Sequence, residues 1–373
     1  MRNKIGLLAA TALATGNACA QSSVTLYGLI DAAIRYTTNQ PTANGPRSQV
    51  AVSEGAFNGG RWGLRGAEDL GAGRKAIFTL ENGFSYDTGK IGQQGQLFGR
   101  QAWLGMSDET MGTVKVGRQY GLTYSFMAEV DPVFTGGFTE ILWEDSLTGL
   151  RFDNTVIYSK DWGRFAVNAQ YSFGEQAGNA ARGRTVQLSS LYRDDRLTLG
   201  GAGQQSRDAN GNDLTLWTAG GKYAFGVVSL HAYYVDSRRD AGFIVGASGT
   251  TAPLANTSIG SNANTVFGPN TQTSQRHDRA AIVGVGYQIS PAWRLTGTYM
   301  RDNVAGASRG ASGLIQTAYV TAMYALSKRT DVYVEADRSW LGGASVTDPN
   351  SPIGTFGGAS TRTGAAMGMR TRF

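Results

Sequence analysis

The feature that most limits what this chain can become is a hydrophobic alternation of period two that starts near residue 24 and recurs to the C-terminal residue. Val24, Leu26, Gly28, Ile30, Ala32 and Ile34 share one parity, and Thr25, Tyr27, Asp31 and Arg35 fall on the other. Side chains of a strand point alternately to opposite faces, so each such segment has one apolar and one polar face. Phe165, Val167, Ala169, Tyr171 and Phe173 oppose Ala166, Asn168, Gln170 and Ser172 in the same way. Trp293, Leu295, Gly297 and Tyr299 oppose Arg294, Thr296 and Thr298, and Val332, Val334 and Ala336 oppose Tyr333, Glu335 and Asp337. About sixteen segments of this kind follow one another, among them 24–36, 57–68, 74–86, 97–108 and 362–373. All eight prolines fall between segments, where no ladder hydrogen bond is required.

The connections alternate as well. Tight ones, such as Asp69 to Gly73, Asp161 to Gly163 and Ser327 to Arg329, are followed by long polar ones. The longest, roughly 238–278, is rich in Ser, Thr, Asn, Gly and Ala and reads as a surface loop rather than a domain. Short turns at one end of the strands and long loops at the other are the plan of a transmembrane barrel. Sixteen strands of about eleven residues take roughly 176 positions, which leaves room for eight turns and eight loops. In hydrocarbon only a closed sheet satisfies every backbone group, so the apolar parity faces lipid and the polar parity faces a lumen. A soluble Greek-key sandwich would bury its apolar face in a shared core and has no need of the short and long alternation. The expected fold class is therefore all-β: a 16-stranded antiparallel transmembrane β-barrel.

Composition narrows the function. Glycine at 52 of 373 residues, with only 8 prolines, fits neither collagen nor a Pro-rich disordered chain. Arg2 and Lys4 precede an apolar run, and Ala18-Cys19-Ala20 has the small-x-small form of a signal peptidase site. Residues 1–20 are expected to be a removed secretory signal and residues 21–373 the barrel domain. The single cysteine, Cys19, then leaves with the signal, and disulfides are excluded. Without Arg2 and Lys4 the 34 basic residues become 32 against 28 acidic, a dispersed net charge of +4 that does not suggest nucleic acid.

Enzymatic readings find little support. There are two histidines; His231 shares the parity of Ser229 and faces the lumen, and His277 lies in or beside the longest loop, so a Ser-His-acid site lacks a histidine. The stretch from Gly83 to Lys90 has one residue too many for a phosphate loop, and Ile91 stands where Ser or Thr would hold magnesium. No metal or cofactor is expected.

Specific blocks carry a resemblance. Ser23 to Asp31 (SVTLYGLID), Gly60 to Gly71 (GRWGLRGAEDLG), Lys75 to Phe84, Leu97 to Ala102, Val116 to Tyr120, Asp153 to Thr155 and the final Thr371-Arg372-Phe373 closely resemble the trimeric general porins of Gram-negative outer membranes, in the branch typical of beta-proteobacteria. The resemblance implies an inward-folded third loop that narrows the lumen to an eyelet, a homotrimer, and passive diffusion of ions and small hydrophilic solutes. It also implies that outer-membrane lipid, lipopolysaccharide and the barrel insertion machinery are partners, with Phe373 as part of the insertion signal.

The third loop corresponds to residues 119–150, which contain Glu129, Asp131, Glu140, Glu144 and Asp145 and no Lys or Arg. Asp131-Pro132 and Gly136-Gly137 fit either bends that turn this loop inward or ordinary loop punctuation. For the opposing wall, parity sets Arg61 and Arg65 against Trp62 and Leu64, and Arg100 and Arg151 against Trp103 and Phe152. The family places its wall arginines at the positions of Arg61, Arg100 and Arg151. Arg118 shares the parity of Val114 and Val116, and its direction stays open. An acidic loop facing a basic wall sets which ions enter, and a mild anion preference is expected. A substrate-selective porin of the same fold, or a receptor or adhesin barrel, are the alternative readings.

Overall fold

In the computed structural model, residues 22–134, 136–260 and 273–373 are described. The expected signal segment, Cys19 included, lies outside them. The alternation becomes one closed antiparallel sheet of sixteen strands. In chain order they are β1 (Ser23–Gln40), β2 (Arg47–Glu54 and, after an interruption, Arg61–Gly71), β3 (Arg74–Gly83), β4 (Gln101–Asp108), β5 (Gly112–Tyr120), β6 (Arg151–Asp161), β7 (Phe165–Ser172) and β8 (Thr185–Arg193). The second half comprises β9 (Leu197–Arg207), β10 (Asp213–Phe225), β11 (Val228–Arg239), β12 (Arg276–Gln288), β13 (Trp293–Ala305), β14 (Gly313–Ala325), β15 (Thr330–Gly343) and β16 (Thr361–Arg372). Each strand pairs with its sequence neighbour, and β1 closes the ring on β16 from Leu29 opposite Arg372 to Thr37 opposite Gly364.

Burial is inverted relative to a water-soluble protein. Val24, Leu26, Ile34, Leu104, Met106, Leu188, Val283, Val320 and Met367 are exposed, while Asp31, Thr155, Ser206, Thr317 and Ser339 are buried. The apolar parity thus forms an outward band for lipid, as the alternation predicts. Aromatic residues gather at the short-turn end, where Phe165 meets Tyr192, Tyr223 meets Phe225 and Trp293 meets Tyr324. Such girdles mark the membrane interface. Two-residue turns at that end need a left-handed residue, supplied for example by Gly226 at φ 59°.

The interruption of β2 differs from the sequence reading, which starts this strand near residue 57 and leaves Arg47–Glu54 in a connection. Ala32 opposes Glu54 but Leu29 opposes Arg61, so extra residues bulge between the two pieces. The Asp31 carboxylate holds this bulge by accepting the amides of Phe57 (3.1 Å) and Asn58 (3.0 Å) and the Tyr333 hydroxyl (2.7 Å). Gly55 is required beside it, because a Cβ there would stand 1.6 Å from an Asp31 carboxylate oxygen.

The third long connection folds into the lumen and forms helices α1 (Leu122–Val130) and α2 (Glu140–Thr148). Their apolar side chains, chiefly Phe126, Met127, Val130, Trp143 and Leu147, pack on lumen-facing Leu191, Leu216, Ile282, Met300 and Ile315. The wall from β8 to β14 is therefore partly apolar on both faces, and burying it draws the loop to that side. The wall also completes the ends of α1, whose first amides have no intrahelical acceptors. Gln170 accepts the Leu122 amide (3.2 Å) and Gln187 the Thr123 amide (2.9 Å). At the other end Lys222 donates to the Glu129 carbonyl (2.8 Å) and His231 Nδ1 to that of Val130 (2.7 Å), which matches the helix dipole.

Two side chains correct the parity reading. Trp103 faces the lumen together with Gln101 and Gly105, because Leu104 and Met106 hold the lipid face of β4. Phe152 is buried in the loop core rather than turned to lipid, since a register shift between Gly117 and Gln119 breaks the alternation of β5 and β6. The longest connection is also not a free surface loop. Its residues Ser258 and Gly260 donate their amides to Gly149 (3.1 Å) and Ser146 (2.9 Å), and Ile259 is buried against the third loop.

At the C-terminus, Phe373 exchanges backbone hydrogen bonds of 3.1 Å with Gly28. Its ring lies on the outer face over that glycine, where a Cβ would come within 2.2 Å of it.

Candidate functional site

With α1 and α2 held against the wall from β8 to β14, the facing wall from β1 to β6 borders the remaining lumen. Three of the expected arginines meet there. Arg100, just before β4, pairs through Nε with Glu81 Oε1 at 2.9 Å and donates from Nη2 to the Tyr120 hydroxyl oxygen at 2.8 Å. Arg151, at the start of β6, donates to the same hydroxyl oxygen at 2.7 Å and lies 4.4 Å from the Tyr120 ring centroid. Arg61 lies in the electrostatic reach of both, and of Glu81 and Tyr120. Arg65 sits further along β2, exposed, with its guanidinium 5.3 Å from the Tyr27 ring.

Sequence reasoning missed three members of this group. Glu81 is the carboxylate that bonds Arg100, and the Tyr27 hydroxyl donates to its second oxygen at 2.9 Å. Tyr120 joins Arg100 to Arg151 and stacks on Tyr124 of α1, centroids 5.5 Å apart. Tyr27 and Glu81 share the lumen parity of Arg61 and Arg65 in register, so continuing the alternation across the β1, β2 and β3 ladders identifies them. Arg118, whose direction the sequence left open, bonds Asp153 at 2.6 Å and the Asn256 carbonyl at 3.0 Å, so it ties down the longest connection.

The loop acids divide. Asp145 lies within the field of Arg151 and Arg100; burial pushes its carboxyl up to about 7 against the pull of both guanidiniums. Glu129 turns toward β8 and β10, 3.1 Å from Lys222 and 3.6 Å from Arg193. Asp131, Glu140 and Glu144 point away from the arginines and are buried against the opposite wall, where all three bond the hydroxyl of Tyr233 on β11. Their oxygens lie within 4.8 Å of one another, the one such trio among the described residues close enough to share a cation. Tyr233 has a single proton to donate. Burial and the neighbouring carboxylates push the Glu140 and Glu144 carboxyls well above the ordinary carboxyl range. The loop thus presents much less negative charge to the arginines than its five acids suggest.

His231 binds Ser229 Oγ through Nε2 at 2.9 Å, but its Nδ1 donates to the Val130 carbonyl, and among the described residues no carboxylate bonds it. The arrangement lacks the acid of a hydrolytic triad.

The sequence profile described as Gram-negative porin matches residues 7–340. An outer membrane porin protein of Bordetella pertussis is 30% identical over 88% of this chain and 92% of that protein. Outer membrane porin protein 32 of Delftia acidovorans is 32% identical over 61% of this chain and 68% of its own length. In fold the chain is similar to the anion-selective porin from Comamonas acidovorans, with a TM-score of 0.74, 22% identity, and coverage of 95% of this chain and 100% of that one.

Proposed function

The chain belongs to the Gram-negative porin family, and on that premise we propose that its outer-membrane barrel passes ions and small hydrophilic solutes without a chemical step, with a mild preference for anions set by Arg61, Arg65, Arg100 and Arg151. The observation that carries the preference is the division of charge across the lumen. Glu81 and Glu54 lie beside the arginines on their own wall, while Asp131, Glu140 and Glu144 are turned toward Tyr233 on the opposite wall. Lumen charges select ions by attraction at close range, and arginine stays charged at any working pH. The proposal extends to a homotrimer, to residues 1–20 as a cleaved signal, and to Phe373 as part of the signal read at barrel insertion.

Single-channel recording of the purified protein in a planar bilayer tests this reading. We expect ohmic openings in three equal steps whose conductance rises with salt; a silent protein contradicts it, and conductance that saturates with one solute class favours a substrate-selective channel.

Asp145 adds a pH dependence. Its carboxyl is neutral below about 7 and charged above. A negative charge beside Arg151 therefore appears as pH rises, and anion preference is expected to fall between pH 6 and pH 8. Asp145→Asn is expected to abolish that slope in the reversal potential and to keep the preference at its pH 6 value.

A further inference from the structure

The outward face of the barrel changes character at the long-loop end of β11 to β15. Arg238 on β11, Arg279 on β12, Arg301 on β13 and Arg338 on β15 all hold the lipid-facing parity and are exposed. Register sets the first three side by side. His277 lies opposite Arg238, two residues from Arg279, and Asn303 lies opposite Arg279, two residues from Arg301. Such diagonal neighbours stand about 7–8 Å apart. Arg301 and Arg338 flank β14, opposite Gln316 and Ala318. From β12 to β15 this parity contains no Asp or Glu, and Asp236 of β11 pairs with Arg238 at 3.4 Å. Outward Arg207 on β9 likewise has a partner, Asp213 at 2.7 Å, whereas Arg279, Arg301 and Arg338 form no ion pair among the described residues. Arginine on a lipid face is costly within the hydrocarbon and nearly free at its edge, so this row marks the headgroup level.

Beneath the row the same strands form a shallow outward groove of about 520 Å³ along Leu295, Gly297, Val320, Ala322, Val334 and Ala336. Gly297 and Ala336 both lie opposite Val320, and Ala336 is two residues from Arg338 on the same face, so the groove begins under that guanidinium. Its apolar surface is open, with Val320 59% and Val334 52% exposed. Uncompensated cations above an apolar channel are matched by a molecule with an anionic head and a hydrocarbon tail. We propose that this sector of the wall docks a phosphorylated lipid of the outer leaflet, with phosphates on Arg279, Arg301 and Arg338 and an acyl chain along the groove. The guanidinium fork suits phosphate oxygens, and each such charge beside an anionic lipid adds to the binding. Three unpaired arginines favour a headgroup with two phosphates over one with a single phosphate, or one whose phosphate is offset by an amine. The inference follows from the outer-membrane location of the barrel and does not depend on which ions pass through it.

The test is the affinity of the purified full-length protein in detergent for bisphosphorylated lipid A, beside the same lipid stripped of both phosphates. One basic side chain at an anionic lipid surface is worth about fivefold in binding, so the triple change Arg279→Gln, Arg301→Gln and Arg338→Gln is expected to weaken binding about a hundredfold. The stripped lipid is expected to bind the unmodified protein as weakly. Arg207→Gln, which alters an arginine that already has a partner, is expected to leave the affinity unchanged, and Ala322→Phe, which fills the groove, to weaken it severalfold. Equal affinity for both lipids, or a triple variant that binds like the unmodified protein, overturns the proposal. Displacement of the lipid by an equal concentration of inorganic phosphate also overturns it, because the site then serves free phosphate. If the triple variant does not fold, the two lipids on the unmodified protein and the single Arg301→Gln variant decide. Single-channel conductance in KCl is expected to be the same in the triple variant, since these arginines lie outside the lumen; a changed conductance contradicts their outward facing.

Discussion

Replacing Arg100 or Arg151 with glutamate will lower the anion-to-cation permeability ratio about tenfold. The change is two unit charges; at roughly 5 Å in water-like surroundings each contributes about 0.8 kcal/mol to an ion's energy, so the reversal raises the anion and lowers the cation by about 1.6 kcal/mol each before salt screening, which reduces the combined effect to about tenfold. Arg100→Gln and Arg151→Gln should give about half that free energy. Arg338→Glu provides the control, because Arg338 is exposed on the outer face of β15 with its guanidinium 5.6 Å from the Trp340 ring. Reversal potentials in a KCl gradient, on variants whose heat-modifiable gel mobility shows a folded barrel, measure the effect. Equal shifts at 100, 151 and 338 would mean that the arginine group does not border the passage.

Trp143→Ala will loosen the third loop. Trp143 is completely buried among the contacts that fix the loop to the wall, and its indole N–H donates to Asp302 at 2.9 Å. Truncating a buried tryptophan costs about 3–5 kcal/mol, and here it also removes the donor to Asp302 Oδ2, leaving the Arg279 amide on Oδ1. The β-ladders do not depend on Trp143, so the barrel should persist with a lower thermal midpoint, and single-channel current should become larger and noisier. An unchanged midpoint together with an unchanged, quiet current would contradict the anchoring role assigned to α2.

The same two regions mark how far the sequence could be read. Strand identity and facing are legible because lipid acts as solvent for one parity, so a run such as Val24 to Ile34 declares its outward face without tertiary information. Arg61 and Arg65 follow directly from Trp62 and Leu64. Facing becomes harder where ladders shift. The break between Gly117 and Gln119 moves Phe152 into the core, and the bulge around Phe57 is set by Asp31 and by Tyr333, which lies far along the chain. At Trp103 the parity of Leu104 and Met106 carries the answer, but a bulky aromatic reads more readily as a lipid contact.

The loop acids are the least legible part, because no periodicity orients them. Whether Glu140 and Glu144 face the arginines depends on Tyr233, a residue some ninety positions later that reaches the loop only once the barrel closes. Counting five acids therefore overstates the loop's charge. The wall from β8 to β14 did leave a signal. In Ala280 to Val285 both parities are apolar, and a lumen face of this kind requires something apolar to cover it. That cover is the inward-folded loop itself.

Anion preference in this channel requires an arginine wall whose charge is not cancelled by the loop that faces it. The most direct measurement is the zero-current potential of the unmodified protein in a planar bilayer across a KCl gradient at neutral pH. A potential of the sign given by chloride permeating more readily than potassium is the predicted result; one of the opposite sign would contradict the assignment of charge across the lumen.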